Sequence, residues 1–442
     1  VTEVNRAVPP ETDAEITQPV HLHESWLPDA HPLYRPRHSK NQRSALLSAA
    51  VFFLVPLLAF VFGARGQAFE NRPLTAFPSP GDGWGFFTGL SAWATDHLAF
   101  RRAGVLAEDE ISRRLFGELT PRSQGDSGSP FGPIGGQGGN GQRELTQEDY
   151  PPVLQGRDGW LFLGQDVSYK CVPRRSLDDV LAALHRLRSV VEASGRKFEL
   201  VIPPDKSTMV PGKLPDAYPG QQCREELTER FWPRVTGEAG AIDLRPALRT
   251  RAQTIGRELY DPNDTHWTYD GGVVMTYALA DAVDPGVTGT WQVRESRKVP
   301  WPADIPPLLG RQVQRTMQAY ALAPNGRTDH TRYAASDFRI PLTLRDRARQ
   351  VRGEVPYSAG MIADSFTQFA SPFLAAAFQN LAIVHPETIA ADPGRYAREL
   401  LTDKKVIVLE LAERSAAGGQ SPILRPDVID AIGRELSRRP MK

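Results

Sequence analysis

The chain has 442 residues, and its 52 Lys and Arg are balanced by 52 Asp and Glu, so it has no overall basic field to gather a polyanion and no nucleic-acid role is expected. At roughly 100–200 residues per domain the length suits two or three units, enough for one α/β core with appendages. The 37 Gly and 38 Pro exceed average usage but are too few for a low-complexity chain, so the excess must be local.

Residues 1–44 are rich in Pro, Glu, His and Arg without sustained periodicity and read as a disordered cytoplasmic tail, with His21 and His23 solvated rather than metal-binding. Residues 45–64, ALLSAAVFFLVPLLAFVFGA, carry no charge; as a helix they would span about 30 Å, the thickness of a hydrocarbon core. A transmembrane signal anchor is expected there, with Pro56 a tolerated kink. Arg35, Arg37, Lys40 and Arg43 precede it and Arg65 and Arg72 follow, which places the N-terminus in the cytoplasm and everything beyond about residue 65 outside. A cleavable signal peptide is the rival, but the polar leader is long for an n-region. The expectation is a single-pass protein of the cell membrane, in contact with the bilayer through one helix.

Residues 65–120 include SAWATDHLAFRRAGVLAEDEISRRLFGE, where Trp93, Leu98, Val105 and Leu106 suggest a juxtamembrane helix with an apolar face. Residues 121–145 are dominated by Gly, Ser and Pro and read as a flexible linker. Residues 146–442 alternate β-rich and helix-like runs, as a mostly parallel sheet covered by helices requires. Strands are expected at 197–202, 241–244, 360–363, 382–385 and 405–409, and helices at 177–193, 224–237, 272–282, 366–378 and 427–437. Residues 311–352 resist assignment. Cys171 and Cys223 both fall on the side placed outside, where one disulfide is permitted. Two separate buried thiols are the alternative. No C-x-x-C or Cys/His cluster suggests zinc, and no metal or cofactor is expected.

Two clusters could carry chemistry. In YDPNDTHWTYDGG (260–272), Asp264 and His266 lie two apart, so a turn could bring carboxylate and imidazole together, with Asp264 orienting the ring. A metal site with Asp270, or ordinary turn chemistry, stays open at this point. In YSAGMIADSFTQF (357–369), a strand, sharp turn and helix would put the Ser365 hydroxyl at a helix start, where backbone N–H groups can face an oxyanion; simple N-capping is the plainer reading. A nucleophilic serine needs a base. His97 lies near the expected membrane helix, His185 on an amphipathic helix, and His330 and His385 lack an adjacent orienting carboxylate, which leaves His266 as the best partner.

The ordered motifs GRDGWLFL (156–163), VIPPDKSTMVPGKLP (201–215), DTHW (264–267), ADSF (363–366) and VIVLELAERS (406–415), with ENRPLTAFP (70–78) at the start, resemble the alginate O-acetyltransferase family of the AlgJ and AlgX type. The resemblance implies an SGNH-hydrolase-like three-layer α/β sandwich with a mostly parallel sheet, working outside the membrane on a polysaccharide acceptor. By motif position it implies Ser365 as nucleophile and Asp264 and His266 as its D-x-H-W partners. It also implies a membrane-bound O-acyltransferase as acetyl supplier. Ala363 departs from the family's Gly, which puts the geometry of that turn in question. Trp267 could stack on a sugar face or simply pack. Lys206, Glu410, Glu413 and Arg414 read as structural supports. A carbohydrate acetylesterase on the same three residues, or a non-catalytic polysaccharide-binding scaffold, remains an alternative.

Overall fold

The computed structural model describes residues 40–63, 76–79, 81, 83–97, 145–332, 337–345 and 351–441. The expected tail, except 40–44, lies outside the described residues, as does the linker except residue 145 and the juxtamembrane helix beyond residue 97. Among the described residues two helices lie ahead of residue 145, α1 (Lys40–Val61) and α2 (Trp84–Asp96).

Helix α1 opens on the polar run Lys40-Asn41-Gln42-Arg43 and ends at Val61. Its uncharged part from Ala45 to Val61 rises about 26 Å at ~1.5 Å per residue, short of a hydrocarbon core of roughly 30 Å. No helix among the described residues is long and apolar enough to cross a membrane. The anchor expected over 45–64 is corrected accordingly, because the helix gives way to a turn at Phe62 and Gly63. The single-pass placement and the bilayer contact expected above rested on that anchor, which no helix among the described residues supplies.

From residue 145 the chain builds a three-layer α/β unit. A short antiparallel pair, β1 (Val153–Gln155) and β2 (Leu161–Leu163), leads into α3 (Gln165–Cys171) and α4 (Leu177–Glu192). Next come β3 (Lys197–Val201), α5 (Lys206–Met209), α6 (Gln221–Gly237), β4 (Ala241–Ile242), α7 (Arg245–Ile255) and α8 (Tyr269–Val283). A long ribbon follows, β5 (Gln292–Pro302) and β6 (Gln314–Ala323), then β7 (Leu342–Arg345) and β8 (Ala359–Ile362). The last elements are α9 (Ser371–Ala377), β9 (Asn380–Val384), α10 (Pro386–Ala391), α11 (Pro393–Leu400), β10 (Val406–Glu410), α12 (Glu413–Ala417) and α13 (Pro426–Ser437).

The central sheet runs β4-β3-β10-β8-β9-β7 and is mixed: β7 pairs antiparallel with β9, while the other neighbours are parallel. Every residue of β8 and β10 is buried, as expected of parallel strands covered on both faces. Alternate strand residues feed two cores. Val201, Met361, Ile383 and Val408 pack toward α8, α9 and the ribbon, and Leu200, Ile362, Val384 and Leu409 pack toward α4, α6, α11 and α13. Helix α4 shows how sequence sets this arrangement. Its Ser176 cap accepts from Asp179 N at 3.1 Å, and Leu177, Val180, Leu181, Leu184, Leu187 and Val191 form one buried stripe. Cys171 and Cys223 form a disulfide between α3 and α6.

Val201 pairs with Glu410, and one residue earlier Leu409 is level with Ile362 and Val384, so the segments after β3, β8 and β10 emerge side by side at the carboxyl ends of the strands. In open α/β sheets that edge is where ligands bind. Helix α8 approaches the same edge closely because its first turn carries Gly271 and Gly272. A β-carbon on Gly272 would overlap the carbonyl oxygen of Phe369, and one on Gly271 would press into the Trp267 ring. Gly272→Ala is therefore expected to destabilise the fold by on the order of 1–3 kcal/mol. Gly394→Ala, at a position open to space, should be neutral or mildly stabilising. Urea midpoints at unchanged m-value would show the contrast.

Candidate active site

The segment after Tyr260 is a closed excursion: Tyr260 bridges to Trp267, and Thr268 N donates to Leu259 O at 2.7 Å. Inside it the two-residue spacing closes as the D-x-H pattern requires. Asp264 Oδ1 accepts both the backbone N–H of His266 at 2.9 Å and its ring Nδ1–H at 3.0 Å, the local side-chain turn that Asp forms readily. The buried Lys206 ammonium fastens the segment from below, donating to the carbonyls of Leu161, Asp261, Pro262 and Asp264 at 2.6 to 3.0 Å. Tyr260 OH donates to Pro204 O at 2.6 Å and ties it to the turn after β3.

The other half comes from β8. Ala363 N donates to Val384 O, and Asp364 caps a 3₁₀ turn, Ser365–Phe369, with its carboxylate accepting Phe366 N at 3.0 Å and Ala412 N at 2.7 Å. Ala363 is fully buried and is not among the non-glycine residues with positive φ, so alanine sits in this turn without strain. Glu410, at the end of β10, accepts from Asp364 N and Thr367 Oγ1 through Oε2. Burial, with Asp364 close by, pushes its carboxyl well above the usual range.

These two halves bring the three named side chains together. His266 Nε2 lies 2.8 Å from Ser365 Oγ, across 99 positions of sequence. Asp264 and His266 are buried and Ser365 is partly exposed. Trp267 clamps the halves: it is fully buried, packs edge-on to Phe366 at 5.2 Å and donates from Nε1 to Phe366 O at 3.1 Å. Its face is therefore not available to stack on a sugar.

Two further residues complete the site, and neither had a local sequence signal. Asp304, in the turn between β5 and β6, places Oδ2 3.3 Å from His266 Nδ1 and accepts Thr265 N on Oδ1 at 2.7 Å. Arg315, near the start of β6, pairs with Asp264 Oδ2 at 3.0 Å, its guanidinium 5.3 Å from the centre of the Phe369 ring. Burial alone would lower the His266 pKa, but Asp304 and Asp264 outweigh it and raise it to about 9. Burial opposes ionisation of Asp304, yet the imidazolium beside it holds that carboxyl at about 2.

Asp264, His266 and Asp304 offer ligand atoms within 4.8 Å of one another, close enough for a metal ion. The arrangement suits a proton better, since Nδ1 already faces both carboxylates and the Arg315 guanidinium already pairs with Asp264. Asp270, the alternative ligand, points elsewhere: it binds Arg251, Arg257 and Tyr320 at 2.7 to 3.2 Å. Among the described residues, His330 meets a carboxylate far off in sequence, Glu354 at 3.0 Å, and the reading that His385 has none nearby is corrected: its Nδ1 caps α10 by accepting Glu387 N and lies 3.9 Å from the Glu387 carboxylate. Glu413 and Arg414 join a buried ionic cluster with Lys170, Asp205 and Asp166 beside the disulfide, at the turn after β3.

Residues 153–335 match the family described as ALGX, an SGNH hydrolase-like domain of the acetyltransferase AlgX; the matched stretch includes Asp264, His266, Asp304 and Arg315 and ends before Ser365. A probable alginate O-acetylase AlgJ of Pseudomonas fluorescens is 28% identical over 141 residues, 32% of this chain and 35% of the relative. The protein of the same description from Pseudomonas putida is 27% identical over 205 residues, 45% of this chain and 51% of the relative. The chain thus spans from about a third to half of the curated relatives it matches. Among solved structures, the O-acetyltransferase domain of Pseudomonas putida AlgJ is similar with a TM-score of 0.42 and 18% identity, covering 64% of this chain and 98% of that one. Pseudomonas aeruginosa AlgX gives a TM-score of 0.41 and 13% identity, covering 64% and 66%.

Proposed function

We propose that this chain, which over residues 153–335 is similar to the SGNH hydrolase-like domain of the acetyltransferase AlgX and to the AlgJ O-acetylases, is an O-acetyltransferase acting through an acetyl-serine intermediate, with Ser365, His266 and Asp264 as its triad. The observation that carries the reading is the continuous hydrogen-bonded path from partly exposed Ser365 Oγ through His266 to Asp264, at 2.8 and 3.0 Å. The carboxylates keep the proton on Nδ1 and leave Nε2 as acceptor. His266 takes the Ser365 proton as Oγ attacks the acetyl carbonyl, then returns it to the leaving oxygen of the donor. A sugar hydroxyl attacks the acetyl-serine, His266 removing its proton and restoring it to Oγ. The N–H groups of Phe366 and Thr367 already face Asp364, so the amide of Ser365 is this turn's candidate oxyanion donor.

The acceptor in this reading is an exported polysaccharide, following the alginate O-acetylases among the relatives. The disulfide suits an oxidising, extracytoplasmic compartment, where a membrane-bound O-acyltransferase would supply acetyl groups. Incubation with an aryl acetate and candidate glycans tests the reading: an acetyl group should appear on the Ser365 peptide and then on glycan. Free acetate with no glycan gain would mean an esterase, and no acetyl on Ser365 would refute the mechanism.

The raised imidazole pKa has a sign for both rate and stability. The base form accumulates only as pH rises through about 9, so acylation of Ser365 should climb along an alkaline limb centred there. The ion-paired imidazolium stabilises the fold fully below its unfolded value, about 6.5, and that contribution is lost as pH rises through about 9. Stopped-flow acylation rates and thermal midpoints across this window should therefore move in opposite directions.

A further inference from the structure

The geometry points to Asp304 as a second carboxylate partner of the His266 ring, a positioning residue that shares the Nδ1 proton with Asp264 and comes from the ribbon rather than from the D-x-H-W segment. This rests on the reading of His266 as the base for Ser365. The two carboxylates are held differently. Asp264 is fixed by the His266 backbone N–H, by Asp304 N at 3.3 Å and by Arg315 at 3.0 Å. Asp304 is fixed by Thr265 N at 2.7 Å, which turns its second oxygen to within 3.3 Å of Nδ1. The ring is also hemmed by Phe366 and Phe369, at 4.9 and 5.6 Å between centres, so its remaining polar edge is Nε2 facing Ser365.

The charges around the ring decide what a second carboxylate does. In contact are Asp264 from the loop, Asp304 from the ribbon turn and Ser365 from the turn after β8, with Arg315 of β6 behind Asp264. Farther out stand Lys206 of α5, on the Asp264 carbonyl, Asp364 beside Ser365, and Arg414 of α12, its guanidinium 5.6 Å from the centre of the Phe366 ring. Asp264 and Asp304 against His266 and Arg315 sum to zero when the imidazole is protonated and to minus one when it is neutral. The group is thus electrically complete in the state reached when His266 has taken the serine proton, and an environment matched to that state favours the step that reaches it. With Asp264 alone, Arg315 would cancel the only carboxylate and leave the imidazolium without a counter-charge.

The test is a proton NMR titration of the His266 ring in the full chain, assigned with His266→Ala. The wild-type midpoint should lie near 9, and Asp304→Asn should lower it by about one pH unit or more, because an amide accepting from Thr265 N turns its NH₂ toward Nδ1. Asp304→Glu, which restores the charge, should return it most of the way. Should the Asn protein not fold, Asp304→Ser removes the charge with less bulk and carries the same expectation. A wild-type midpoint in the charge-free variant overturns the assignment. The titration needs no acetyl transfer, so an inert Ser365 would refute the proposed activity without touching this result.

Discussion

Ser365→Ala should lose acetyl transfer to glycan by on the order of 10³-fold or more, His266→Ala should lose about as much, and the double variant should lose little further. The reason is the geometry at Nε2: the hydroxyl and the imidazole lie 2.8 Å apart and act on one proton, so removing either ends the same step. Independent contributions would multiply, whereas members of one relay do not. Ser365 is partly exposed and its side chain bonds to His266, so the alanine protein should keep a wild-type thermal midpoint within the range of ordinary surface changes, about 0.5 kcal/mol. Initial rates on an aryl acetate with a glycan acceptor, beside circular dichroism melts, measure both. Transfer at the wild-type rate by Ser365→Ala would sink the acetyl-serine route and return the scaffold reading to the front.

What could be read in advance followed from local rules. KFELVI and KKVIVL are short β-rich runs, and they became β3 and the fully buried β10. Asp264 and His266 were legible because a two-residue spacing lets an Asp side chain close a local turn onto the residue two ahead. The β5–β6 ribbon was not. Gln292–Pro302 has no buried position and no period of two, and what holds it is pairing from Gln292↔Ala323 to Pro302↔Gln314, which only the partner strand reveals. Asp304 and Arg315 ride on that ribbon, so their approach to His266 is a tertiary fact with no motif behind it. Likewise Leu342–Arg345 is a four-residue edge strand inside the stretch that resisted assignment. The helix expected over 366–378 divides into a 3₁₀ turn and α9, because Pro372 can begin a helix but cannot continue one.

Lys206→Met should lower stability by on the order of 3 kcal/mol and reduce kcat by about 10²-fold or more, although Lys206 is one of the residues that only supports the site. Its ammonium donates to four carbonyls, and two of those have a second donor: Asp261 O accepts from Asp264 N, and Pro262 O accepts from Leu161 N. The loss falls hardest on the other two, Leu161 and Asp264, and it reaches the site through Asp264, whose carbonyl is held at 3.0 Å by the lysine while its carboxylate orients the imidazole. Burial lowers the Lys206 pKa to about 8, so the group is still largely charged at neutral pH and gives charge-assisted bonds. Methionine fills a similar volume beside Trp160 and Phe162 but leaves buried acceptors bare, so the loop should shift to reach water and carry His266 away from Ser365. Lys206→Arg should not rescue it, because a planar fork cannot turn its donors onto four oxygens arranged around one point. Urea unfolding and single-turnover acylation measure the two losses. A methionine protein as stable and as fast as wild type would mean that the D-x-H-W segment holds its shape by itself.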